Sequence, residues 1–220
     1  MKKYFDSHTH IPSEDSLLVS FDMESSRKAC GKLYSVGIHP QHINGADWEE
    51  LEKLASRPGA AAIGECGLDY RKTGGSAPDR ALQQEAFIRQ LELASSLKKP
   101  VIVHSVKAAA DTLSILRRFP DVAAVLHGFS YSPETAREAL QLGCFFGIGA
   151  IILKPGALKI KEVLNILPDD RILAETDTPF SNASIEEVTE AICALRDGDR
   201  LKTMASLRVN ALRLLTGKDD

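Results

Sequence analysis

Short apolar runs alternate with helix-like segments along almost the whole 220-residue chain. Most runs are continuously apolar, which is typical of parallel strands buried on both faces. Eight such strands with helices between them predict an α/β fold of the (β/α)8 TIM barrel type, with an open doubly wound sheet as the alternative. The predicted strands cover residues 3–7, 17–21, 32–38, 60–64, 100–104, 123–126, 144–148 and 171–175.

The connection between the first two predicted strands is unusually short. Only residues 11–16 separate His10 from the second run, whereas a parallel crossover normally needs a dozen or more residues. We therefore expect the barrel to lack its first helix: either the second strand joins by a tight extended loop, or residues 17–21 are not a regular barrel strand. No Gly/Ser linker or break in composition interrupts the sequence, so a single domain over residues 1–220 is predicted.

Composition and charge restrict the class of protein. A net charge of −3 argues against a generic polyanion binder, and 44% hydrophobic with 26% charged residues is ordinary for a soluble globular protein. No apolar run is long enough to span a bilayer, and no apolar signal segment begins the sequence. The four cysteines form no CxxC pair, which favours buried free thiols in a reducing compartment. We expect a cytoplasmic protein with no membrane partner; monomer and dimer both stay open.

Histidines and carboxylates follow several of the predicted strands. In a barrel the carboxyl ends of the strands converge on one mouth, so these side chains are expected to be neighbours. Burying imidazoles and carboxylates together without a cation would be costly, and mixed nitrogen and oxygen ligands suit divalent metal ions. The sequence therefore predicts a metal centre built from His8, His10, Glu65, His104, His127 and Asp177.

The spacing of these residues predicts how the ions are shared. His8 and His10 are separated by one residue, so both side chains point to the same side of a strand and can hold one ion together with Asp177. His104 and His127 come from adjacent strands and can hold a second ion. Glu65 can bridge the two. We expect two divalent ions: zinc, manganese or magnesium.

The sequence also resembles a known family. The motifs DSHTH, VGIHP, AIGECGLDY, PVIVHS, HGFS and AETDTPF, in this order, are similar to those of the TatD family of metal-dependent deoxyribonucleases, within the amidohydrolase superfamily. The resemblance implies a barrel that hydrolyses phosphodiester bonds, in DNA or another phosphodiester substrate, in an exonuclease-like manner with a metal-activated hydroxide. It implies that Glu65 bridges the metals and that His39 contacts a substrate phosphate. Asp177, besides binding metal, can accept the proton of the attacking water.

Other residues near the strand ends are predicted to bind the substrate. Arg71 follows the fourth strand and Lys107 the fifth, so both could contact a phosphate backbone. Phe129 and Tyr131, after the sixth strand, could stack a base, although Phe129 could instead pack under the barrel mouth. Family members usually carry an arginine where this chain has Val106. Lys107 could supply the positive charge of that arginine, but a lysine cannot form the two parallel hydrogen bonds that a guanidinium makes with a phosphate.

Two other functions stay open from the sequence alone. An amidohydrolase acting on a small-molecule ester, lactone or amide would use the same ions, although many such enzymes carry a modified lysine where this chain has Glu65. A metal-holding barrel repurposed for partner binding is the second alternative, suggested by the altered fifth-strand loop and the short first connection. A panel of phosphodiesters beside carboxyl esters and lactones separates these functions.

Overall fold

The computed structural model describes residues 3–11, 13, 15–19, 33–71, 79–196 and 198–217. Within these ranges every one of the eight predicted strands is present, with different bounds. The strands are β1 (Asp6–Thr9), β2 (Ser16–Val19), β3 (Tyr34–Val36), β4 (Ala60–Asp69), β5 (Val101–Val106), β6 (Ala124–Leu126), β7 (Phe145–Ile148) and β8 (Ile172–Ala174). The helices are α1 (Trp48–Ala55), α2 (Arg80–Leu97), α3 (Ala109–Leu116), α4 (Pro133–Gln141), α5 (Leu158–Ile166), α6 (Ile185–Leu195) and α7 (Arg200–Thr216), and short 3-10 helices cover Ala150–Leu153 and Asp169–Arg171.

The chain divides into two compact units. The terminal unit comprises residues 1–18 and 127–220, and the central unit comprises residues 19–126. The predicted single-domain organisation stays a prediction, and each unit is described by itself.

The first connection of the terminal unit, between β1 and β2, is short. β1 and β2 pair in parallel, with Asp6 opposite Ser16, and none of the described residues between them is helical. The backbone N–H of Asp6 donates to the carbonyl of Asp15 (2.9 Å). The Ser16 hydroxyl accepts from the Ser13 N–H and donates to the Ser13 carbonyl, both at 3.2 Å. The first bond joins the starting ends of the two strands, and the other two fix the backbone just before β2. Of the predicted second strand, residues 20 and 21 lie outside the described residues.

The other strands of the terminal unit attach to β1 through β8. β7 and β8 pair in parallel, while the Ser7 hydroxyl donates to the Ala174 carbonyl (2.9 Å). Beyond β8, the N–H of Asp177 donates to the His8 carbonyl (2.9 Å). The sheet core includes the fully buried Phe146. Because these bonds join β1 to β8, residues from opposite ends of the sequence come together.

The central unit contains β3 to β6, each paired in parallel with the next. β4 runs to Asp69 and all of its residues are buried, so the prediction that it ends at residue 64 was wrong. The pairing of residues 66–69 with residues 103–106 of β5 extends both strands beyond their purely apolar parts. Glu65 and His104 therefore lie inside strands rather than after them. Similarly, β1 begins at Asp6 and contains His8.

The predicted buried thiols are present where the structure describes them. Cys66, Cys144 and Cys193 are free and buried, and burial raises the pKa of Cys144 to about 12. Cys30 lies outside the described residues. In the described part of the chain, no helix combines the length and apolar composition that crossing a bilayer requires.

Candidate metal centre

The terminal unit brings together three of the predicted ligands. His8 lies in β1, His10 follows it, and Asp177 follows β8. Asp177 Oδ1 lies 3.6 Å from His8 Nε2 and 3.3 Å from His10 Nε2. One donor atom from each residue lies within 4.8 Å of the others. We call His8, His10 and Asp177 the terminal cluster; its nitrogen and oxygen donors suit a divalent cation.

His127 lies against this cluster in the same unit. Its ring stacks on that of His8, with centroids 3.7 Å apart and planes at 13°. His127 Nδ1 lies 3.0 Å from Glu175 Oε1, which also accepts a hydrogen bond from the N–H of Gly128 (2.6 Å). Glu175 was not predicted to take part, yet it orients His127 as carboxylates orient metal-binding histidines.

The burial of the Glu175 side chain favours a cation at this place. Glu175 is 0% exposed, and its Oε2 has no hydrogen-bond partner among the described residues. A Cβ at position 147 would lie 2.1 Å from this oxygen, so Gly147 provides the space for the carboxylate. Stacked imidazoles beside a buried carboxylate are costly unless positive charge compensates. The donor set thus fits a divalent ion.

Asp6, also missed from the sequence, fixes the backbone that carries the terminal cluster. Its Oδ1 accepts from the N–H groups of Thr176 (3.0 Å) and His8 (3.2 Å), and its Oδ2 accepts from the Thr176 hydroxyl (2.6 Å). Burial raises the pKa of Asp6 to about 6, against these hydrogen bonds. Because Thr176 precedes Asp177, one carboxylate ties β1 to the loop that supplies the third ligand.

Asp177 has an uncommon backbone conformation. Its φ is 58°, in the left-handed region that few residues other than glycine adopt. Aspartate tolerates this region better than most because its short polar side chain can bond locally. The side chain of Asp177 is 33% exposed, so solvent reaches it. An exposed carboxylate oxygen is what proton transfer from water requires.

A second group of ligand types lies in the central unit. His104 Nδ1 lies 2.6 Å from Glu65 Oε1, and His104 Nε2 lies 3.1 Å from Asp69 Oδ2. Glu65 Oε1 is also 4.0 Å from His39 Nε2. Donor atoms of His39, Glu65 and His104 lie within 4.8 Å of one another, and we call these three residues the central cluster. Burial lowers the pKa of His39 to about 4, so its ring is neutral at pH 7.

The Arg71 guanidinium forms an ion pair with the Asp69 carboxylate. Its Nε lies 2.9 Å from Asp69 Oδ1 and 3.0 Å from Oδ2, and its Nη2 also bonds Oδ2. Burial alone would raise the pKa of Asp69, but hydrogen bonds from His104 and Arg71 hold it well below its usual range. The Arg71 side chain is 47% exposed, so part of it can still contact a phosphate while it pairs with Asp69.

The other predicted substrate contacts have different outcomes. Phe129 is 2% exposed, and its ring packs edge-on against Phe146 with centroids 5.0 Å apart. The apolar ring packs in the core under the sixth strand's loop, which disfavours the predicted stacking of Phe129 on a base. Lys107 is exposed at the end of β5, and its contact with a phosphate stays a prediction.

Known proteins resemble the chain in sequence and in fold. The family model described as TatD related DNase matches residues 21–216. YcfH of Escherichia coli K12, an uncharacterized metal-dependent hydrolase, is 40% identical over 151 residues, which are 67% of this chain and 56% of YcfH. The chain thus spans little more than half the length of that relative. The 3'-5' ssDNA/RNA exonuclease TatD of Cronobacter turicensis is 36% identical over 182 residues, covering 76% of this chain and 67% of that protein.

A solved structure agrees with the predicted fold class. The crystal structure of YJJV, a TatD homolog from Escherichia coli K12, superposes with a TM-score of 0.87 at 25% identity, covering 97% of this chain and 98% of that one. Together with the strands described above, this likeness confirms the (β/α)8 barrel class. The connection between β1 and β2 covers residues 10–15, and its described residues contain no helix, as expected from the sequence.

Proposed function

The chain belongs to the family of TatD related DNases, and on that premise we propose that it hydrolyses phosphodiester bonds at the end of single-stranded DNA. As a member it is a metal-dependent hydrolase; the DNA substrate is the proposal. The observation that carries it is the terminal cluster, in which Asp177 Oδ1 lies within 3.6 Å of both His8 Nε2 and His10 Nε2.

The donor set indicates where a metal would bind. His8, His10 and Asp177 would hold one divalent ion, for which zinc, manganese and magnesium are candidates. The central cluster offers a second group of donors of the same kinds. The predicted bridging role of Glu65, and the predicted sharing of an ion by His104 and His127, stay predictions, as does the number of ions.

The residues of the terminal unit divide the chemical work. A bound divalent ion lowers the pKa of a coordinated water and offsets charge on phosphoryl oxygens. Asp177 Oδ2 can accept the proton of the attacking water, since this carboxylate is partly exposed. Glu175 keeps the His127 ring in place, and Asp6 keeps His8 and Asp177 in register. The chain therefore supplies a fixed base and fixed ligands.

Relatives and charges support a nucleic-acid substrate. One relative is named a 3'-5' ssDNA/RNA exonuclease. The exposed Lys107, the half-exposed Arg71 and the exposed Lys154 are cations suited to phosphate groups. His39 stays a predicted phosphate contact; its place in the central cluster makes metal binding an alternative role. No groove-entering helix or basic stripe was found in the sequence, which favours strand ends over duplex DNA.

A substrate panel tests this proposal. The protein is stripped with chelator, magnesium, manganese or zinc is returned, and products are resolved from single-stranded DNA, duplex DNA, RNA, an aryl phosphodiester, a carboxyl ester and a lactone. We expect stepwise shortening of single-stranded DNA, lost in Asp177→Asn with an unchanged circular dichroism spectrum. Hydrolysis of the lactone or ester without DNA cleavage would instead assign a small-molecule amidohydrolase. Metal binding with no hydrolysis at all would favour a binding role.

A further inference from the structure

An exposed aromatic ring lies beside the terminal cluster. Phe180 follows Asp177 in the loop after β8, and it is 64% exposed. Its ring meets that of His10 edge-on, with centroids 5.4 Å apart and planes at 84°. Isolated exposed apolar side chains are common and need no function. Phe180 differs because it touches a predicted metal ligand.

Hydrogen bonds hold the backbone around Phe180 in place. The Phe180 N–H donates to the Asp177 carbonyl (2.8 Å), and the His10 N–H donates to the Thr178 carbonyl (2.8 Å). The Ser181 hydroxyl donates to the carbonyl of Thr176 (2.7 Å). The same loop therefore positions a metal ligand and the ring. A backbone that is already held in place loses little further conformational freedom when the ring binds a ligand.

A second exposed apolar side chain lies next to His10 in sequence. Ile11 is 50% exposed. His10 therefore has one exposed apolar neighbour along the chain, Ile11, and one in space, Phe180. A phosphate group gains nothing from apolar surface. A nucleobase does, because its flat face stacks on aromatic rings.

We propose that Phe180 stacks on the base of the nucleotide whose phosphodiester bond is cleaved. The inference rests on the proposed nuclease function and identifies its substrate as a strand end with an unpaired base. A nucleobase is joined to its phosphate through one sugar, so its platform must be a near neighbour of the metal ligands, as Phe180 is of His10. Phe180 thereby takes the role predicted for Phe129.

An abasic substrate tests the contact. The first cleavage is timed on two single-stranded oligonucleotides that differ only in their 3'-terminal residue, a normal nucleotide or an abasic one. We expect the wild type to favour the normal end by about 10-fold in kcat/KM, mainly through KM. Phe180→Ala should treat the two ends alike, while Phe180→Trp should keep the preference. Leu201→Ala, which removes a side chain that is 62% exposed on α7, serves as the control and should behave as the wild type.

A binding measurement separates this proposal from the nuclease function. Fluorescence anisotropy of the same oligonucleotides is measured in chelator, where cleavage is not required. A binding preference for the normal end that disappears in Phe180→Ala supports stacking, whether or not the protein cleaves DNA. If no metal restores cleavage, that result refutes the nuclease function alone. The role of Phe180 would be overturned if Phe180→Ala kept the wild-type preference for the normal end. It would also be overturned if the wild type showed no such preference in either the kinetic or the binding measurement.

Discussion

The carboxamide of Gln90 forms two hydrogen bonds with the peptide groups of Ile38. Its Oε1 accepts from the Ile38 N–H (2.7 Å), and its Nε2 donates to the Ile38 carbonyl (3.0 Å). Gln83, two turns earlier on α2, forms the same pair of bonds with Asp69: its Oε1 accepts from the Asp69 N–H (2.7 Å), and its Nε2 donates to the Asp69 carbonyl (3.1 Å). Both glutamines are buried. One helix of the central unit therefore fixes the backbone before His39 and at the end of β4.

Replacing Gln90 with leucine should destabilise the protein. Gln90→Leu leaves two buried backbone groups of Ile38 without their partners, and each such group costs about 1–3 kcal/mol. We expect the free energy of unfolding to fall by about 2 kcal/mol or more, measured by urea denaturation. Gln141→Leu, at an exposed end of α4, should change it little. Equal effects of the two substitutions would contradict the backbone-pairing role of Gln90.

Asp6→Asn should weaken metal binding. Asparagine offers one acceptor oxygen where aspartate offers two, so it cannot accept from His8, the Thr176 N–H and the Thr176 hydroxyl in the same way. Loss of a residue that orients ligands typically lowers metal affinity about 10–100-fold. Competition with a chromophoric chelator measures it, with the exposed Asp170→Asn as control. Unchanged affinity in Asp6→Asn would argue against its positioning role.

Two neighbouring glycines should respond differently to alanine. A Cβ at Gly147 would meet Glu175 Oε2 at 2.1 Å, whereas a Cβ at Gly149 would come no closer than 3.6 Å to Glu175. Overpacking of this kind costs about 1–3 kcal/mol. We expect Gly147→Ala to lower the thermal midpoint and Gly149→Ala to leave it nearly unchanged, as calorimetry would record. A neutral Gly147→Ala would mean that Glu175 does not occupy this space.

Metal should stabilise the folded protein through the terminal cluster. A ligand present at 100 times its Kd adds about 2.7 kcal/mol to the free energy of unfolding if it binds only the native state. We expect zinc or manganese to raise the unfolding midpoint of chelator-treated protein. The increase should shrink in His10→Ala, whose Nε2 lies 3.3 Å from Asp177. An undiminished increase in that variant would place the stabilising ion elsewhere.

The sequence pattern predicted that the eight strands exist, though not where each one ends, and it predicted the members of the terminal cluster. Parallel strands buried on both faces leave continuous apolar runs, and polar residues that interrupt the end of such a run stand out. His8, His10 and Asp177 were found in this way, and the structure places them together. The contact between Glu65 and His104 follows from the same reasoning.

Other features leave no such signal. Gln83 and Gln90 are polar residues in a helix, which periodicity assigns to the exposed face, and only the backbone groups they pair with explain their burial. The length of β4 was underestimated because the polar Glu65 interrupts an apolar run. Phe129 and Phe180 both follow strand ends, and their positions in the sequence do not reveal which of the two rings is buried. Tertiary packing decides each of these cases.

The most direct measurement follows metal content and hydrolysis together. Wild type, His8→Ala and the control Leu201→Ala are stripped of metal and titrated with manganese or zinc, while bound metal and cleavage of single-stranded DNA are recorded at each step. We expect cleavage by the wild type and by Leu201→Ala to rise in proportion to bound metal, and His8→Ala to lose both tight binding and cleavage. Cleavage in His8→Ala at the wild-type rate, or cleavage of DNA by metal-free wild type, would contradict the metal centre.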